Sequence, residues 1–264
     1  MKTRRIRSAD GTAIAYEAVG EGAPLVLVGG ALCDRTALAS GTPLAAMLAH
    51  RFTVFSYDRR GRGDSGDTPP WAIAREIEDL AALITAAGGS AAVFGHSSGG
   101  LLALDAAVQG LAITRLAVHE PPVLLDAARA TSFVRLANEL DEVVAADRRS
   151  EAVELYFTRA MQMPADAVAR LRRSPMWPEF EEIAHTLDYD LRITARGAAR
   201  LAEVADVRPP TLAMDGSASP PWMRGAIEAV ARAIPQARHR TLEDQTHAVD
   251  PKALALALEE FLSA

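Results

Sequence analysis

Six short strand-like runs, each closed by glycine, proline or a polar cluster, leave few folds open to this chain. They read PLVLVGG (24–30), FTVFSYD (52–58), AAVFG (91–95), ITRLAVHE (113–120), PPTLAMDG (209–216) and ARHRTLE (237–243). The short apolar ones, such as PLVLVGG, FTVFSYD and AAVFG, suit strands buried on both faces of a parallel sheet, and ARHRTLE looks like one more strand. Between them lie helical patterns. From Trp71 to Ala87, Ile73, Ile77, Leu80 and Ile84 make one stripe, with Gly88 as the stop. An amphipathic helix is predicted over 222–234, and ALALALEEFL closes the chain as another. Two further strands, Arg4 to Ser8 and Ala13 to Val19, flank an Asp10–Gly11 turn and predict a hairpin. From 121 to 208 only helical patterns appear, among them LLDAARATSFVRLANELDEVVAA. The expected class is α/β: a mostly parallel eight-stranded sheet with helices on both faces, and a helical cap inserted between strands 6 and 7. The expected division is core over 1–120, cap over 121–208 and core again over 209–264.

A chain of 264 residues can bury one substantial core, and its 49% hydrophobic and 23% charged residues are ordinary for a folded domain. A formal net charge of −6 gives no support to a nucleic-acid or anionic-membrane partner. No stretch reaches the roughly 18 consecutive apolar residues that a membrane span requires. MKTRRIRSADGT turns polar where a secretory leader would be apolar, so a cytoplasmic location is expected. The single cysteine, Cys33, allows no internal disulfide, and no cysteine cluster suggests structural zinc. A monomer or homodimer working on a small molecule without metal or organic cofactor is expected.

GRGDSG (61–66) spells the dinucleotide fingerprint G-x-G-x-x-G. That motif needs a helix opening within it to receive a pyrophosphate, yet Thr68, Pro69 and Pro70 follow and the helix starts only near Trp71. A loop leaving a strand is the expected role.

Gly95-His96-Ser97-Ser98-Gly99 matches G-x-S-x-G, and its setting carries more weight than its spelling. An apolar strand runs into it and a helix runs out of it, the geometry of a nucleophile elbow. Glycines two residues to either side let neighbouring backbone approach the strained apex. This register selects Ser97 as nucleophile and makes Ser98 the first helical residue, its N–H available to an oxyanion. His96 is not the base, because adjacent residues of an extended segment project to opposite faces. A serine hydroxyl needs a separate base held by a third group. Of six histidines, His247 lies in the loop DQTHAVDP between the last strand and the last helix, and it is the candidate.

VLVGG, YDRRGRGDSG, FGHSSGG, HEPP, PTLAMDG and the terminal TH loop, in that order, resemble the α/β-hydrolase family over essentially the whole chain. The pattern is most similar to small soluble serine hydrolases with a helical cap. The resemblance implies a second oxyanion N–H after a His-Gly pair; here the pair reads Gly29-Gly30, which makes Ala31 the implied donor. The family's commonest acid position, three residues past the glycine ending the seventh strand, holds Ser219. Three carboxylates compete for the role: Glu120, preferred, at the end of the sixth strand as in haloalkane dehalogenases; Asp215, the alternative, at the end of the seventh; and Asp244, three residues before His247.

The resemblance implies acyl transfer: hydrolysis of a small, mainly apolar, uncharged ester-like molecule through an acyl-enzyme on Ser97. C–C hydrolysis, perhydrolysis, elimination or cyclisation by the same residues, or a non-catalytic ligand receptor, are the alternatives. A serine nucleophile argues against epoxide hydrolase or dehalogenase chemistry, which resembles attack by aspartate. Gly30, Phe133, Tyr156, Trp177 and Trp222 are the expected substrate-binding residues. Leu136, Phe157, Met161, Met163 and Met176 are further apolar cap residues, and Cys33 reads as a plain loop thiol.

Overall fold

In a computed structural model, which describes residues 2–37 and 39–263, eight strands form one sheet in the order β1-β2-β4-β3-β5-β6-β7-β8. The strands are β1 Arg4–Arg7, β2 Ala13–Val19, β3 Ala23–Val28, β4 Phe52–Tyr57, β5 Ala91–His96, β6 Ile113–His119, β7 Thr211–Gly216 and β8 Ala237–Leu242. β2 pairs antiparallel with both β1 and β4; every other pairing is parallel. This is the mostly parallel sheet that the apolar runs predict.

Period-2 alternation decides which side of the sheet each residue covers. In β3, Val26 and Val28 join one core while Leu25 and Leu27 join the other. In β5, Ala91 and Val93 face the first, Ala92 and Phe94 the second. Helices α2 (Ile73–Ala86), α3 (Ser98–Val108) and α10 (Pro221–Ala233) cover the first face. Helices α1 (Thr42–Leu48) and α11 (Pro251–Leu262) cover the second. Helix α1 has no counterpart in the sequence reading. It is seven residues long and has no side-chain cap bond, so its local signal is weak. Leu44, Ala45 and Leu48, packed beneath the sheet, hold it in place.

Between β6 and β7 run α4 (Ala127–Ala145), α5 (Arg149–Leu155), a π-turn over Tyr156–Ala160, α6 (Ala165–Leu171), α7 (Trp177–Glu182), α8 (Leu187–Ala195) and α9 (Ala199–Glu203). These helices form the cap, with a third apolar core that includes Leu136, Leu140, Phe157, Leu187 and Leu191. Asp126 starts α4, its carboxylate accepting the Ala128 amide at 2.8 Å. Among the described residues no helix is long and apolar enough to cross a membrane.

One buried acid of the cap stands at a cost. Burial, then the neighbouring Asp141 carboxylate, push Asp188 up to about 7, against the pull of Arg192 at 3.2 Å. Its pKa is thus raised on folding, so the stability it contributes is full below about 3.8 and is lost as pH rises towards 7. Asp188→Asn is expected to stabilise the protein by about 1–2 kcal/mol at pH 8 and by less at pH 5. Urea midpoints at the two pH values measure this; equal shifts would contradict it.

Candidate functional site

The sheet's order reverses between β3 and β5, and the carboxyl ends of its strands are where a parallel sheet collects its site. Ser97 sits there, between β5 and α3, at φ 54° and ψ −129°. That conformation is disfavoured for a residue with a side chain, and its neighbours enforce it. A Cβ on Gly95 would lie 2.6 Å from Gly100 Cα, and one on Gly99 would lie 2.4 Å from the carbonyl oxygens of Val28 and Gly29. Only glycine fits at either place.

Ser97 Oγ donates to His247 Nε2 at 3.1 Å, and His247 Nδ1 meets Glu120 Oε2 at 2.9 Å. A carboxylate accepts, so Nδ1 carries the proton and Nε2 is free to accept from the serine. Glu120 follows β6 at φ 46°, fully buried, with Oε1 accepting the Gly216 amide at 2.9 Å. Burial pushes its carboxyl up, but hydrogen bonding to His247 and the Gly216 amide, with the Ser219 hydroxyl nearby, outweighs it and holds the group below its ordinary value. The serine at the family's commonest acid position thus lies beside the carboxylate arriving from β6.

The other two acids stand apart from His247. Asp215, fully buried, faces His239 Nε2 at 3.3 Å and Arg224 Nε at 3.6 Å. Its strand neighbour Gly216, one residue on, supplies the amide to Glu120. Asp244 is exposed at φ 57°, a turn residue. The alternative assignment to Asp215 therefore finds no geometric support: the strand end that brings its backbone to the site points its side chain towards β8 and α10.

His96 has a task that the sequence did not reveal. Its Nε2 donates to the backbone oxygen of His247 at 3.0 Å, and the two rings lie 4.9 Å apart. His119 stacks on His96 at 5.4 Å and lies 6.4 Å from the His247 ring. Desolvation, followed by the other imidazoles, drives His96 well below the usual histidine value; burial takes His119 down to about 4. Both rings stay neutral near pH 7, so His96 holds the His247 backbone without competing for a proton.

The stretch DRRGRGDSG (58–66) carries a second missed feature. Arg59 and Arg62, both buried, donate to the Gly29 and Gly30 carbonyls at 3.4 and 3.1 Å. Asp190 of α8 binds both guanidinium groups, at 2.8 and 2.6 Å, and accepts the Ser98 hydroxyl at 2.7 Å. Glu76 holds Arg59 from the other side at 2.6 Å. Cap, elbow and the Gly29–Gly30 loop are thereby tied by one buried ionic network. Asp190→Ala would strand the buried Arg62, leave Arg59 with Glu76 alone, and is expected to cost about 3–5 kcal/mol of stability, measured by urea unfolding. A change under 1 kcal/mol would show that the arginines find other partners. The glycines of GRGDSG serve the loop itself: a Cβ on Gly63 would lie 2.4 Å from Asp58, whose carboxylate accepts the Arg35 and Asp64 amides at 2.8 and 2.9 Å.

A cavity of about 510 Å³ opens over Ser97, Ser98 and His247, lined by Phe133, Tyr156 and Trp222 among the residues expected from the sequence. Met161 and Arg129 also line it. Gly30 lies behind the serine, where a Cβ would come within 2.9 Å of Ser97 Cβ; Ala31 follows, half-buried. Trp177 is a correction. It is 4% exposed inside the cap core, its ring 6.2 Å from Phe157 and its Nε1 donating to Ser150 Oγ at 2.8 Å, so it packs the cap and does not line the cavity. Leu136, Phe157, Met163 and Met176 are likewise absent from the lining. Burial pushes the Cys33 thiol up, which leaves it a poor nucleophile at neutral pH.

The likeness to known proteins runs along nearly the whole chain. An alpha/beta hydrolase from Sphaerobacter thermophilus DSM 20745 superposes with a TM-score of 0.88 at 50% identity, covering 98% of this chain and 100% of that one. A hydrolase from Pseudomonas aeruginosa PA01 gives 0.75 at 23% identity, covering 100% and 99%. A thermophilic esterase from Thermogutta terrifontis gives 0.74 at 22%, covering 100% and 98%; these two show likeness of fold. A family model described as the alpha/beta hydrolase family matches residues 25–257. Matching that family over most of its length, and identical at half its positions to a solved member, this chain belongs to the alpha/beta hydrolase family.

Proposed function

We propose that the protein is a serine hydrolase that cleaves a small, mainly apolar carboxylic ester through an acyl-enzyme on Ser97. The observation that carries this reading is the unbroken chain from Ser97 Oγ to His247 to Glu120, with separations of 3.1 and 2.9 Å. Ser97 attacks the carbonyl carbon while His247 Nε2 takes its proton; the C–O bond breaks as the same nitrogen returns the proton to the leaving alcohol. Water, deprotonated by His247, then attacks the acyl-enzyme and releases the acid. Glu120 keeps the imidazole in the tautomer that can accept and stabilises the imidazolium. The N–H of Ser98, at the first turn of α3, and that of Ala31, beyond the Gly30 that presses on Ser97, are the proposed oxyanion donors. The apolar lining of the cavity supports an apolar acyl or alkoxy group.

The test is reaction with a fluorophosphonate probe, together with turnover of p-nitrophenyl acyl esters. Stoichiometric labelling of Ser97 with ester turnover supports the proposal. Absence of both would leave an idle hydrolase fold.

A further inference from the structure

We propose that Arg129 makes this an enzyme for esters that carry a carboxylate: a short apolar acyl chain whose far end is anionic and is gripped by the guanidinium. The inference rests on the serine-hydrolase reading of the same cavity and narrows its substrate class, replacing the uncharged ester expected from sequence.

Among the described residues Arg129 is the only permanently charged one in the cavity lining; every other lining residue is apolar, hydroxylic, an amide or the imidazole of His247. Its position is unfavourable for a cation in three independent ways. It sits in the first turn of α4, a 19-residue helix whose N-terminus already carries positive partial charge. It is half-buried, and desolvation lowers its pKa from the ordinary arginine value despite the proximity of Asp126. Among the described residues it has no salt bridge and no side-chain hydrogen bond, because the Asp126 carboxylate is engaged with the α4 amides. The 27 other arginines and lysines include many in ion pairs, and the buried ones all have acid partners: Arg59 with Glu76 and Asp190, Arg60 with Asp79, Arg62 with Asp190, Arg200 with Asp105. A desolvated cation left without an anion is costly unless a ligand provides one.

The group is also held in place. Its guanidinium carbon lies 4.3 Å from the centroid of Trp222, on α10, and 6.0 Å from that of Phe133. Stacking on an indole fixes the plane of the fork while leaving its N–H edge free, the arrangement that binds a carboxylate with two hydrogen bonds. Taken as a sphere, the 510 Å³ cavity is on the order of 10 Å across, so a group on Arg129 and a carbonyl on Ser97 are spanned by a chain of a few carbons. The protein's net charge of −6 opposes anions at long range, so the attraction is local.

The test compares esters of matched length: the p-nitrophenyl half-esters of succinic and glutaric acid against p-nitrophenyl butyrate and valerate, on wild type, Arg129→Gln and Arg129→Lys. Wild type is expected to prefer the anionic member of each pair by at least tenfold in kcat/KM. Arg129→Gln should lower that ratio at least tenfold, chiefly through KM, and Arg129→Lys should keep part of it. Free glutarate, measured by calorimetry without any turnover, should bind wild type and not Arg129→Gln. An unchanged ratio in Arg129→Gln, or glutarate binding that does not depend on residue 129, overturns the proposal. If both esters are still turned over and Ser97→Ala abolishes that turnover, the hydrolase reading survives it; if neither ester reacts and fluorophosphonate does not label, that reading fails, while the glutarate measurement still decides Arg129.

Discussion

Ser97→Ala lowers kcat/KM for any accepted ester by about 10⁵-fold or more, a loss of roughly 7 kcal/mol of transition-state stabilisation, and abolishes fluorophosphonate labelling. Nothing else in the cavity can take over the attack. Ser98, the adjacent hydroxyl, donates to Asp190 at 2.7 Å and is locked into the ionic network. Thr194 lies in the lining without an imidazole partner, and the Cys33 thiol is pushed up by burial. Alanine has the same backbone restriction as serine at φ 54°, so the elbow keeps its shape and circular dichroism should be unchanged. Any residual rate over the uncatalysed reaction measures what the oxyanion donors and binding contribute alone. Retention of more than a hundredth of wild-type activity would remove Ser97 from the chemistry.

Glu120→Gln is expected to lower kcat by about 10³–10⁴-fold with the fold intact. The direction follows from two hydrogen bonds. The Gly216 amide, 2.9 Å from Oε1, can only donate, so it selects the carbonyl oxygen of the new glutamine. The NH₂ group is then turned towards His247 Nδ1, where the carboxylate oxygen had been at 2.9 Å. An NH₂ donor there forces the proton onto Nε2, and that nitrogen can no longer accept from Ser97. Asp215→Asn is the control. Its carboxylate faces His239 and Arg224 and touches no residue of the Ser97–His247–Glu120 chain, so its effect on kcat should stay within about tenfold. If Asp215→Asn alone produced the large loss, Glu120 would not be the acid.

The strand runs, the elbow and the loop of His247 were legible because each depends on neighbours close in sequence. AAVFG announces a buried strand through its own apolar side chains, and the two glycines around His96-Ser97-Ser98 declare a backbone that comes too close for any Cβ. The choice among Glu120, Asp215 and Asp244 could be narrowed but not closed. All three precede or end near strand termini, and only the pleat and the turn after β6 decide which carboxylate reaches Nδ1. Trp177 misled because an aromatic residue in a cap helix looks the same whether it faces a cavity or a neighbouring helix.

The arginines were the least legible. In DRRGRG they stand in a stretch expected only as a loop leaving a strand, and Arg129 lies unremarked within the helical pattern LLDAARATSFVRLANELDEVVAA. Burial of a charge is not a local property: it depends on what the chain brings over it from far away, here Asp190 of α8 over Arg59 and Arg62, and Trp222 of α10 against Arg129. By itself, then, the amino-acid order determined the layered α/β architecture and pointed to the proposed nucleophile and base, since periodicity and backbone sterics act over a few residues. The tertiary structure alone decided which carboxylate lies against His247, which cations lose their water and which of them is left facing the cavity, because electrostatic partnership is set by distance in space.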